Sequence, residues 1–344
     1  MSKSSVNNKP LVNWMLATAF MVFCMAVIGA ITRLTESGLS MTEWRPLIGA
    51  LPPLSETEWN RVFDLYKQIP EYQQVNSWME LSDFKQIFFW EWFHRLWGRL
   101  IGLVFVVPLI YFWVKGALAP WLKKRALLLL ALGGLQGVMG WFMVMSGLTE
   151  RTDVSHYRLA AHLTLALLVY IALLWTAFDI KYGRPSFDMS RFCLKRHGVI
   201  SLTLLIITVI WGAFVAGQNG GLIYNDWPLM GGALIPAEVN SLNALHANPA
   251  AAQFFHRWIA ILTGLSIFTF GLRVKNHALL LMTLLQIGSG IATLHTQVHI
   301  GLAATHQAGA FVLCGLLIYA LHSVFLNGCA KDKGGSKRNK KNTK

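Results

Sequence analysis

The stretch Glu91-Trp92-Phe93-His94-Arg95 opens an apolar run and recurs, altered, as Gln253-Phe254-Phe255-His256-Arg257. A Gly-Leu pair follows each at the same distance, Gly102-Leu103 and Gly264-Leu265, so the likeness extends past the histidine. Outward from these, further stretches fall into register. Val27-Ile28-Gly29-Ala30 through Gly38-Leu39 to Trp44 and Pro46 parallels Val209-Ile210-Trp211-Gly212-Ala213 through Gly221-Leu222 to Trp227 and Pro228. Leu135-Gln136 with Gly140 parallels Leu285-Gln286 with Gly290, and Leu159-Ala160-Ala161-His162 parallels Leu302-Ala303-Ala304-Thr305-His306 with one residue inserted. One unit is used twice.

The repeat lies in an apolar chain. Of 344 residues 54% are hydrophobic and 13% charged, and a mean hydropathy of +0.46 is far above that of a soluble domain. The chain reads as an integral membrane protein. Eight runs are each long enough for a bilayer, at roughly 12 to 32, 93 to 114, 124 to 146, 157 to 178, 198 to 217, 254 to 272, 277 to 296 and 303 to 326. The first is too long for a signal peptide and lacks a small-residue cleavage site. With four spans per unit, both copies enter the membrane from the same side. The expected fold is all-α, two tandem four-helix bundles related by a pseudo-twofold axis along the membrane normal.

The net charge of +14 does not point to nucleic acid, because the basic residues lie in short clusters between apolar runs. About two-thirds of the 30 Lys and Arg fall in the N-terminus, the segments after spans two, four and six, and the tail, against only Asp179, Asp188 and Asp332 of the 16 acids. The positive-inside rule then places both termini in the cytoplasm. Residues 1–11 form an N-terminal tail, 12–180 the first unit, 181–197 a cytoplasmic linker, 198–326 the second unit and 327–344 a basic, solvated tail that can meet anionic lipid. Cys24 and Cys314 lie within spans and Cys193 and Cys329 on the cytoplasmic side, so a structural disulfide is not expected.

The outer loop from Arg33 to Glu91 is long, and Pro46, Pro52, Pro53 and Pro70 exclude one continuous helix. Within it Glu56 to Gln68 has helical periodicity with Trp59, Val62, Phe63 and Tyr66 on one side, as an amphipathic helix on the membrane surface would; long loops of this kind often cover a site. The glycine stripes Gly133, Gly134, Gly137, Gly140 and Gly288, Gly290 read as helix-packing positions. Trp14, Trp90, Trp97, Trp113 and Trp121 read as interfacial anchors.

Four of the eleven histidines occupy matching places: His94 and His162, then His256 and His306. Each begins an even-numbered span near its outer end, which puts two imidazoles at similar depth in each bundle. Heme iron between facing helices suits such a pair, whereas zinc or copper wants a third or fourth donor that neither Cys nor a second carboxylate supplies. The plainer reading is interfacial histidines satisfied by water. Arg95 and Arg257 follow two of them and are candidates for heme propionates or for snorkelling to the interface. His295 and His299 stand four apart without an evident third ligand and read as loop residues.

The copies also differ. Glu91 precedes His94 by one helical turn and its counterpart is Gln253, so only the first site has a carboxylate, able to act as a base, to stabilise positive charge, or simply to pair with Arg95.

Together the eight-span duplicated plan, Glu91-x-x-His94-Arg95, Phe255-His256-Arg257, the Gly29 to Pro46 segment, and His162 and His306 resemble the heme A synthase family over about residues 12 to 326. The resemblance implies an oxidoreductase that converts the C8 methyl of heme O to a formyl group through an alcohol, giving heme A for cytochrome c oxidase. It implies that His94 and His162 hold the substrate heme near catalytic Glu91, and that His256 and His306 hold a heme b cofactor. It further implies a bacterial inner membrane with the heme sites toward the periplasm, heme O synthase as donor, an electron-transfer partner of unspecified kind, and room for a homo-oligomer. Some members carry two cysteines in the first outer loop; this loop has none, so the chain resembles the cysteine-lacking branch. The rival readings are a diheme b-type membrane cytochrome and a heme carrier without catalysis.

Overall fold

The computed structural model describes residues 8–44, 48–149, 151–185, 189, 191–239 and 248–330, side chains being described up to residue 326. Pro46, Asp188, His246, most of the N-terminal tail and the basic tail from residue 331 lie outside these. The chain is all-α. The membrane helices are α1 (Lys9–Leu34), α3 (Leu81–Val114), α4 (Pro120–Met145), α5 (His156–Tyr182), α6 (Phe192–Gly217), α7 (Pro249–Val274), α8 (His277–His295) and α9 (Ile300–Ala330); a shorter α2 (Glu56–Tyr66) lies in the first loop. All eight long helices are apolar enough to cross a membrane, where only a helix that satisfies its own backbone can stand in lipid. The chain is an integral, multi-pass membrane protein.

The helix starts follow local chemistry. Pro10, Pro120 and Pro249 stand in the first turns of α1, α4 and α7, where the missing N–H is not needed. Asn248 caps α7 by accepting from the N–H groups of Ala250 and Ala251, and Asn276 caps α8 by accepting from Leu279.

Helix neighbours repeat like the sequence. In the first unit α1 packs on α3 and α5, and α4 on α3 and α5; in the second α6 packs on α7 and α9, and α8 on α7 and α9. The bridging contacts, α1 with α9, α5 with α6 and α5 with α9, map onto themselves when the units are exchanged. The units do not have separate cores. Leu167 and Leu173 of α5, Ile267 and Phe270 of α7, and Phe311 and Leu317 of α9 belong to one buried cluster. Gln307 Nε2 donates to Ala26 O at 2.6 Å and Arg33 Nη2 to Asn219 Oδ1 at 3.1 Å, both across the unit boundary. Away from the long loop, buried Asp179 of α5 accepts from His322 Nε2 of α9 at 3.0 Å and pairs with Arg125 of α4. Asp179, counted above with the loop acids, thus belongs to the helical interior.

The largest departure from expectation is α3, which begins twelve residues before the expected span. Asp83 Oδ2 accepts from the N–H of Glu80 at 3.1 Å, and Phe84, Ile87 and Phe88 of the extra turns are buried. The periodicity expected for Glu56 to Gln68 is realised as α2, with Phe63 and Tyr66 buried. The apolar side of α2 packs on the α3 extension: Phe63 stacks on Phe84 with ring centres 4.9 Å apart and Trp59 meets Phe88 edge-on at 5.1 Å. Leu39, Val144 and Val154 complete this second cluster. The physical reason is burial: taking a large apolar side chain out of water contributes about 1.5–3 kcal/mol, so α2 folds onto the nearest apolar face.

Trp14 is buried against Phe105 and Phe112, and Trp97 Nε1 donates to Met21 O at 2.9 Å, so these indoles join helices. The reading of the glycine stripes changes. No neighbouring atom lies within 4 Å of where a Cβ would stand at Gly133, Gly134, Gly137 or Gly288. Those glycines are not helix contacts.

Candidate functional site

Each of the four repeated histidines lies against a glycine of the membrane helix before it. A Cβ at Gly29 of α1 would lie 3.3 Å from His94 Nε2 on α3, and one at Gly140 of α4 would lie 3.2 Å from His162 Cε1 on α5. A Cβ at Gly212 of α6 would lie 3.0 Å from His256 Cε1 on α7, and one at Gly290 of α8 would lie 2.9 Å from His306 Cε1 on α9. Gly140 and Gly290, read from sequence as helix packing, are seats for imidazole rings. All four glycines sit in the repeat stretches, so the duplicated signal marks ring and seat together.

The structure brings the histidines together in pairs. The His256 and His306 ring centres are 6.5 Å apart with planes at 88°, and His94 and His162 lie within electrostatic reach of each other. His94 is fourteen residues into α3 because of the extension, whereas His162, His256 and His306 stand within the first eight residues of their helices.

Hydrogen bonds orient the rings. His256 Nδ1 donates to Thr208 O at 3.1 Å, which leaves Nε2 with its lone pair. Ser289 Oγ lies 3.0 Å from His306 Nδ1, and Gln286 Nε2 lies 3.2 Å from the same atom while donating to His306 O at 2.9 Å. In the first unit Gln136 Nε2 donates to His162 O at 3.1 Å and stands 3.3 Å from both ring nitrogens. Sequence reading paired Gln136 with Gln286 but gave them no role, and it missed Thr208 and Ser289. The repeat held a signal for the glutamines; a backbone carbonyl such as that of Thr208 leaves none.

Glu91 is buried, and its Oε1 accepts from Arg95 Nε at 2.6 Å. Arg95 also donates to Met41 O at 2.9 Å and Glu43 O at 3.1 Å. Arg257 behaves alike in the second unit, donating to Tyr224 O at 2.7 Å, Asp226 O at 2.8 Å and Leu229 O at 3.1 Å. Gln253 Nε2 joins it on Tyr224 O at 2.9 Å. Both arginines therefore tie the outer loop of their own unit to the helix that carries the histidine, beside Trp44 in one and Trp227 in the other. His295 and His299 are exposed at the end of α8 and the turn after it.

Among the described residues no cluster of three or more His, Cys, Asp or Glu could hold a bare metal ion. Two opposed imidazoles are the donor set of an iron whose other four positions belong to a macrocycle. Two metal–imidazole bonds of about 2 Å, with roughly 1 Å more to each ring centre, put the ring centres about 6 Å apart. The 6.5 Å between His256 and His306 fits that arrangement, as does the lone pair left on His256 Nε2.

Residues 12–318 match the cytochrome oxidase assembly protein family. The chain is 52% identical to a heme A synthase of Rhodospirillum centenum, over 93% of this chain and 90% of that protein. It is 45% identical to a heme A synthase of Parvibaculum lavamentivorans, over 93% and 96%, and 43% identical to one of Maricaulis maris, over 90% and 94%. With nearly its whole length matched and both histidine pairs inside the match, the chain belongs to the heme A synthase family.

Proposed function

We propose that this protein is a heme A synthase: an oxidoreductase that takes heme O as substrate and oxidises its C8 methyl group to a formyl group through a hydroxymethyl intermediate. In this reading His94 and His162 hold the substrate heme and His256 and His306 hold heme b. The observation that carries it is the placement of four imidazoles on four glycine seats in a chain of this family, with Glu91 one helical turn before His94 where the second unit has Gln253.

Heme b, when bound, supplies one-electron iron chemistry. The protein's own groups do the rest. Arg95 and Arg257 offer positive charge to propionates while holding the loops closed. Glu91 keeps its Oε1 on Arg95 and takes up protons at Oε2. Each of the two stages releases two electrons and two protons, with water as the oxygen source in the first and a membrane electron acceptor taking the electrons. Were His94 and His162 both to hold the substrate heme, oxygen could reach its iron only after one of them left, which favours this route over direct oxygen activation.

The first unit, expected over 12–180, is the substrate unit and the second, expected over 198–326, the cofactor unit; α6 starts at Phe192, so the cytoplasmic linker is shorter than the expected 181–197. The basic segments face the cytoplasm, and the heme sites face the periplasmic side of a bacterial inner membrane. Heme O synthase is the expected donor of substrate. The test is to express the chain beside a source of heme O and extract its hemes. Heme A or the alcohol together with heme b supports the reading; heme b alone would leave an electron-transfer cytochrome or a carrier.

A further inference from the structure

The two units hold the imidazole of their last helix differently. In the second, Ser289 Oγ gives its proton to Gln286 O at 2.9 Å and stands 3.0 Å from His306 Nδ1. The hydroxyl is thereby committed as an acceptor toward the ring. Gln286 Nε2 donates to His306 O at 2.9 Å and stands 3.2 Å from Nδ1, farther from that nitrogen than the Ser289 oxygen. His256 is held the same way, its Nδ1 donating at 3.1 Å to Thr208 O, which can only accept. His256 therefore carries its proton on Nδ1 and presents Nε2 to a metal, and Ser289 offers His306 Nδ1 the acceptor oxygen that would give that ring the same tautomer.

Among the described residues, no oxygen stands in that place on the matching ring of the first unit. Gln136 Nε2 is 3.3 Å from each nitrogen of His162, and an amide N–H only donates. Three residues beyond Gln286 stands Ser289; three beyond Gln136 stands Met139, whose thioether is a weak acceptor. A carboxylate, carbonyl or hydroxyl on the outer nitrogen of a ligating histidine fixes its tautomer and orientation and raises its basicity.

We propose that Ser289 is a positioning residue that makes the second site a retaining one by accepting the Nδ1 proton of His306. Met139 at the matching place leaves His162 as the ligand that releases when substrate is exchanged for product. This rests on the reading of both histidine pairs as heme sites. A cofactor must stay through many turnovers, whereas a product must leave after one, and the two units are built to match.

The experiment uses the full-length protein, purified with its hemes, and excess apomyoglobin as heme acceptor. Heme b is followed separately from heme O or A by pyridine hemochrome spectra. Ser289→Ala should speed loss of heme b by about 10-fold or more and raise its midpoint potential, because a less basic ligand stabilises the ferric state less. Ser289→Thr, which keeps the hydroxyl, should restore both values. Met139→Ser should slow release of the heme in the first unit. Wild-type transfer rate and potential in Ser289→Ala would overturn the proposal, as would a Ser289→Thr variant no better than alanine, or an unchanged first-site release rate in Met139→Ser. His306→Ala separates the underlying reading: a variant that keeps all its heme b removes the histidine-pair assignment itself, whatever Ser289 does.

Discussion

Glu91 Oε1 and Arg95 Nε stand 2.6 Å apart, one turn from each other on α3, with side chains only 5% and 10% exposed. A pair this buried is not a surface salt bridge. Removing one partner of such a pair costs about 3–5 kcal/mol because the other is left charged and unpaired. Arg95 also holds the backbone of Met41 and Glu43, so the pair couples the carboxylate one turn before His94 to the first outer loop.

Glu91→Gln is the informative replacement, since it reproduces the amide that the second unit carries at Gln253. It is expected to keep the bound hemes and abolish formation of the formyl group, as read by chromatography of extracted hemes. Glu91→Ala should in addition lower thermal stability by about 3 kcal/mol or more. Full heme A formation in Glu91→Gln would remove the proton role.

Arg95→Lys keeps the charge but loses the fork that reaches two carbonyls and a carboxylate at once. Hydrogen bonds from a charged donor contribute about 1.5–3 kcal/mol each, so local opening of the first outer loop should rise at least about 10-fold. Limited proteolysis between α1 and α2 is the measurement. Arg257→Lys should loosen the Tyr224–Leu229 segment in the same way while leaving the first loop as resistant as before.

The glycine seats predict a graded series. Alanine at Gly290 or Gly212 puts a methyl 2.9–3.0 Å from an imidazole carbon, and at Gly140 or Gly29 it puts one 3.2–3.3 Å from the ring. The first two variants should lose second-unit heme by about 10-fold in affinity, visible as a reduced heme-to-protein ratio and a shifted absorption band. The latter two should lose less, since the ring needs to give by only a few tenths of an ångström.

The loop cap should respond to pH. Glu71 is buried and accepts from Tyr66 at 3.0 Å, while Tyr66 in turn accepts from Asn76 at 2.9 Å. Burial pushes the Glu71 carboxyl up to about 7; Glu36 and Asp153 add repulsion, against the Tyr66 hydrogen bond and the Arg33 charge. A value raised above that of the unfolded chain favours the protonated folded form, so its contribution is fully present below the ordinary carboxylate range. It is lost as pH rises through about 7, at most about 3 kcal/mol of cap stability. Hydrogen exchange in α2 followed from pH 5 to 8 should show protection falling with pH, and Glu71→Gln should abolish the dependence. Protection that rises with pH would contradict this placement of the carboxyl.

The site was more legible than the loops because it is duplicated. Hydropathy and the repeat locate the eight spans, and the matching frames single out His94, His162, His256 and His306 from eleven histidines. The same comparison isolates Glu91 as the position where the copies part. The extension of α3 was not legible, because residues 81–92 mix charged and apolar side chains and take their helical form from burial against α2. The two arginines were legible as special but not in their partners, since a loop carbonyl has no signature in sequence.

What the sequence determined by itself is local: which segments suit lipid, how they repeat, and which ionisable side chains they carry inward. A membrane helix closes its own backbone hydrogen bonds, so its presence can be read one segment at a time. What only the tertiary structure decided is relational. Whether Gly290 meets a lipid or the His306 ring, whether Ser289 faces solvent or Nδ1, and whether Arg95 snorkels or ties down Met41 and Glu43 all depend on helix rotation and loop path. Those are set by packing among segments distant in the chain, a small-residue fit with no hydrophobic drive of its own inside the bilayer.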